Sequence, residues 1–116
     1  MFVVASHFLG CSLVCAQTLP CSEQTTDAGM RGCEANRYDS ASKKLQATYL
    51  MLMKQTSPAG KRKLVLAEQA WQHFATSNAA FVLTQANGGT MGQVLQITTL
   101  ADMAEARTAE LEKMLH

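Results

Sequence analysis

Side-chain catalysis needs a nucleophile beside a base, two carboxylates in unlike settings, or three to four converging metal ligands. The 116-residue chain offers little toward any of these. After its first sixteen residues it holds two histidines, His73 and His116, and the second is the last residue. His73 stands two positions after Trp71, which on a helix turns it away from an apolar stripe and into water. Glu68, Glu105, Glu110 and Glu112 are spread as an ordinary polar helix face, with no isolated acid pair. Met51-x-Met53 has the thioethers that Cu(I) prefers, yet two methionines in a helical stripe read first as core filler. The expectation is a protein that is not an enzyme, with no catalytic residue, no metal and no cofactor.

The four cysteines divide by position. MFVVASHFLGCSLVCA, residues 1–16, has no charged side chain and reads as the apolar region of a secretory signal peptide, with cleavage expected after Ala16. No Lys or Arg precedes it, which departs from the usual signal. A buried first helix and a lipid anchor on Cys11 are the lesser alternatives. Export to the periplasm or beyond would remove Cys11 and Cys15 and leave Cys21 and Cys33 in an oxidising compartment, where two cysteines pair. Closing that loop would stabilise the fold by about 3 kcal/mol. A metal site is the rival, but the C-x11-C spacing and the absence of a second ligand pair count against it.

Charge narrows the partners. A net charge of +1 argues against nucleic acid, which demands a dense basic surface. No run of about 18 apolar residues provides a spanning helix. Lys61-Arg62-Lys63 is the one concentrated basic patch, set where a helix is expected to begin and where the dipole disfavours positive charge. That makes it the candidate partner-binding segment, as part of a polar loop from Ser57 to Lys63.

The elements that would position these residues are helical. Residues 17–116 form one domain by length. Thr26 or Asp27 is a plausible cap for a long first helix from Met30 to Lys54, with Leu45, Tyr49 and Leu52 at spacings of four and three. Ser57-Pro58-Ala59-Gly60 punctuates the chain before a second helix over 61–86, whose stripe runs through Leu64, Ala67, Trp71, Phe74, Asn78 and Phe81. Asn87-Gly88-Gly89-Thr90 ends it, and a third helix runs from Met91 to the end through Val94, Ile97, Leu100 or Ala101, Ala104, Leu111 and Leu115. No segment alternates with period two. The fold class is all-α: a small antiparallel three-helix bundle with one N-terminal disulfide. Trp71, with Phe74, Phe81, Leu45 and Tyr49, is expected in its core, and Gln69 either bonds across the bundle or faces water.

Met30-x-x-Cys33 after Cys21, Leu45 and Tyr49, Gln69-Ala70-Trp71-x-x-Phe74, Gly88-Gly89-Thr90, Leu100 and Arg107-x-x-x-Leu111 together resemble the LprI-like lysozyme-inhibitor family. The Gln-Ala-Trp-x-x-Phe stretch is the most specific match. The resemblance implies a small exported helical domain of the bacterial envelope, with no enzymatic activity and a protein partner such as lysozyme or another peptidoglycan-cleaving enzyme. An immunity or accessory protein against a secreted toxin meets the same requirements. The chain departs from the family where a charged pair and a cysteine commonly follow the aromatic pair: it reads Ala75-Thr76-Ser77-Asn78-Ala79, and the partner cysteine falls at Thr99. Ser42 and Gln46 replace an Asp and an Asn. The loss of both halves of a second disulfide would leave the second and third helices held by packing alone.

Overall fold

The computed structural model describes residues 20–87 and 89–116. The expected signal peptide, its cleavage after Ala16, Cys11 and Cys15 lie outside them. A short 3-10 turn at Cys21–Glu23 leads into three helices, α1 Asp27–Gln55, α2 Pro58–Gln85 and α3 Gly89–Glu112.

Local chemistry sets the boundaries. The Thr26 hydroxyl accepts the Gly29 N–H at 3.0 Å, while Asp27 in the first turn and Lys54 in the last complement the α1 dipole. Thr56 and Ser57 are extended, as a residue before proline prefers, and the Ser57 hydroxyl caps α2 by accepting from Gly60. Pro58 therefore opens α2 and does not interrupt the chain: at the first helical position its missing N–H would have had no partner anyway. The start moves three residues earlier than the punctuation suggested, and Ser57–Lys63 is the first two turns of a helix and its cap, not a loop. At the other end Asn87 and Gly89 both take left-handed backbone (φ 55° and 73°), reversing the chain into α3.

Pairings between helices give the topology. Arg31 meets Gln93, Arg37 meets Glu105 and Lys44 meets Glu112, so α1 and α3 run parallel. Glu68 meets Arg107 and Asn78 meets Met103, so α2 runs against α3, and hence against α1. The up-down-up bundle agrees with the sequence reading. α3 packs closely on both partners, whereas the α1 and α2 backbones barely approach each other. Ala41, Leu45, Leu52, Ala104 and Leu111 form the core cluster, with Tyr38, Tyr49, Leu64, Trp71 and Leu115 packed around it.

Two expected core residues are outside. Phe74 is 60% exposed and Phe81 58%. The inward line of α2 is Leu64, Glu68, Trp71, Ala75 and Ala79, rotated from the stripe drawn through Ala67, Phe74 and Phe81. Small Ala75 and Ala79 let α2 lie close to α3, and Arg107 on α3 admits a carboxylate where the pattern placed water. Close packing outweighs the greater transfer energy of the two phenyl rings.

Candidate functional site

Cys21 and Cys33 are joined, with Cα atoms 5.5 Å apart. The bridge pins the 3-10 turn onto the second turn of α1. It positions the N-terminal end of the bundle and leaves no thiol there for chemistry.

Acidic groups at two places are engaged by arginines. Arg37 donates to both carboxylate oxygens of Glu105 at 2.9 and 2.8 Å, to Glu34 at 2.9 Å, and to Asp102. The bonds from Arg37 hold the Glu105 carboxyl below its ordinary value, and the same carboxylates raise the guanidinium further. Arg107 donates to Glu68 at 3.1 Å and to Glu110 at 3.0 Å, with the Arg107 and Glu68 side chains 12% and 8% exposed. Glu68 and Glu105 are therefore not a plain solvated face. Helices α2 and α3, expected to rest on packing alone, are also tied by this buried pair and by the Asn78 amide on the Met103 sulfur. Arg37, Glu34 and Asp102 carried no sequence signal beyond the helical spacing of Glu34 and Arg37, because their partners come from another helix.

Lys61, Arg62 and Lys63 are all exposed in the first two turns of α2. From Lys63 the positions Leu66, Ala70, Phe74, Ser77 and Phe81 follow at spacings of three and four, within about 80° of helix circumference. Leu66, Phe74 and Phe81 are each more than half exposed, so this outer face is an apolar strip with a basic end. Exposed apolar strips of this kind mark interaction surfaces. Gln69 and His73 beside it are exposed too, and among the described residues Gln69 has no bonding partner across the bundle.

A different face of α2 borders a groove of about 380 Å³ between α1 and α2, into which Tyr38, Ser42, Gln46, Trp71, Gln72 and Thr76 open. Trp71 is thus half-buried, packed against the core cluster on one side and lining an open groove on the other. The core expectation holds for one side of the indole, and α1 and α2 stand far enough apart that its other side borders the groove. Leu45 is buried and Tyr49 half-buried, both at the core as expected.

Among the described residues, no three His, Cys, Asp or Glu side chains gather as a metal site requires, and no helix is long and apolar enough to cross a membrane. Comparison with curated proteins and with solved structures finds no match. The family model described as lysozyme inhibitor LprI matches residues 21–111, which runs from the first bridged cysteine to the last buried leucine of α3. On that match, the chain belongs to the LprI lysozyme-inhibitor family.

Proposed function

We propose that the protein is an exported, non-catalytic domain that binds and blocks lysozyme or a related peptidoglycan-cleaving enzyme. Family membership over nearly the whole helical domain is the observation that carries the reading. The outer face of α2 supplies the contact. Glycoside hydrolases of this kind place two carboxylates in an open cleft, so a cationic protrusion is the complementary shape and charge. Lys63, with Arg62 beside it, would enter the cleft, and the Leu66, Phe74 and Phe81 strip would bury apolar area against its rim, while Lys61, nearly opposite Lys63 around the helix, adds only long-range charge. Export through residues 1–16 and cleavage after Ala16 would bring the domain to the periplasm or outside the cell, where its disulfide is stable and its target works.

The test is hydrolysis of cell-wall substrate by lysozyme in the presence of the purified domain. Activity should fall as the domain is added and level off near one inhibitor per enzyme. Undiminished hydrolysis at large molar excess, for lysozyme and for a panel of peptidoglycan hydrolases, would overturn the proposal.

A further inference from the structure

The groove between α1 and α2 has two polar rims over an apolar floor. Tyr38, Ser42 and Gln46 recur every fourth residue along α1, and Glu68, Gln72 and Thr76 do so along α2. The antiparallel course sets the two rows in opposite order, with the Tyr38 end of one toward the Thr76 end of the other. Each row extends for about 12 Å of helix. Leu45, Ala75, Leu100 and the Trp71 indole supply the apolar part of the lining.

The charge pattern decides the ligand. Glu68 is the one carboxylate in the lining and Arg107 already holds it, so no uncompensated charge faces the groove. The Ser42 and Thr76 hydroxyls and the Gln46 and Gln72 amides have no partner among the described residues. A charged ligand would find no counter-charge here, and a wholly apolar one would strand four polar groups. A pyranose ring has the missing combination: a C–H face that lies on an indole or phenol, and edge hydroxyls that both donate and accept. The volume is at the small end of the roughly 300–1,000 Å³ typical of ligand clefts.

The geometry points to a binding site for a short, uncharged oligosaccharide, with Trp71 and Tyr38 as stacking surfaces and Ser42, Gln46, Gln72 and Thr76 as hydroxyl partners. The site goes beyond inhibition of a hydrolase and does not depend on it, because the outer α2 strip lies on a different face of the helix.

Trp71 is the only tryptophan, so tryptophan emission that changes as a ligand is added to the folded protein comes from this one groove-lining residue. The probes are triacetylchitotriose and cellotriose, neutral trisaccharides with and without acetamido groups. A saturable change in emission is expected with at least one of them, at a dissociation constant of about 1 mM or tighter. The double variant Ser42→Ala, Gln72→Ala should weaken that binding at least about tenfold with an unchanged melting temperature, and Gln46→Ala should weaken it in the same direction. Phe74→Ser, on the outer face, should leave it intact. Emission that does not saturate with either sugar, or binding that survives loss of the rim groups, would overturn the site. Running the hydrolase assay on the same samples separates the two readings, since Ser42→Ala, Gln72→Ala should still inhibit.

Discussion

Glu68 and Arg107 show how a single side chain is committed by a partner on another helix. Both are nearly buried, and each satisfies the other across the α2–α3 contact. Truncating one strands the other in low dielectric, so Arg107→Met should cost about 3–5 kcal/mol, whereas Glu68→Met with Arg107→Met should recover most of that loss. Chemical denaturation of the two variants measures the difference. Phe74 makes the opposite test. At 60% exposure it contributes little to the core, and Phe74→Ser should change stability by no more than about 0.5 kcal/mol, where a buried phenyl ring would cost 3–5 kcal/mol. Thermal melts decide between these. Neither residue was legible in the sequence: hydrophobic patterning ranks Phe above Ala and Glu below both, and it contains nothing about an arginine 39 positions away that reverses the order for Glu68.

At the scale of elements the sequence was far more informative, because helix ends are local. Thr26, Ser57 and the Asn87–Gly89 turn each act within three or four residues of chain, so all three helices and their up-down-up order could be read in advance. Pro58 misled by three residues only because a proline that stops one helix can equally start the next. What patterning could not supply is how elements are fastened together. The Cys21–Cys33 bridge closes a short loop on the start of α1, and Cys21→Ala with Cys33→Ala should lower stability by up to about 3 kcal/mol, read as a fall in melting temperature. Arg37 fastens α1 to α3 through Glu105. The folded Glu105 carboxyl titrates below its ordinary 4.5, so its contribution is present above that pH and is lost as pH falls through the depressed value, while Arg37 stays charged throughout. Half exposure of Glu105 limits the effect to less than about 1 kcal/mol. Between pH 7 and pH 3 the melting temperature should therefore fall further for the native chain than for Glu105→Gln.

For the whole molecule, the arrangement separates what holds the bundle together from what it presents. Small residues such as Ala75, Ala79, Ala101 and Ala104 close the helix contacts, which frees the large side chains of α2 for its outer face. That face has two parts with different physics. Exposed cations act at long range, raising encounter with an acidic cleft and losing force as salt shortens the screening length, whereas desolvated aromatic anchors act only after contact and govern dissociation. The two should separate in binding kinetics with an inhibited hydrolase. Arg62→Glu with Lys63→Glu should cut the association rate by about tenfold or more at low salt, with a difference that shrinks toward 0.5 M salt. Phe74→Ser with Phe81→Ser should leave association nearly unchanged and accelerate dissociation by a similar factor at every salt concentration. Because all four side chains are exposed, neither double variant should melt below the native chain, and the charge variant should melt at or slightly above it because acidic side chains suit the N-terminal end of α2, so a kinetic change cannot be ascribed to unfolding. A salt-independent loss from the charge variants, or slower association from the phenylalanine variants, would assign the contact to another face of the bundle.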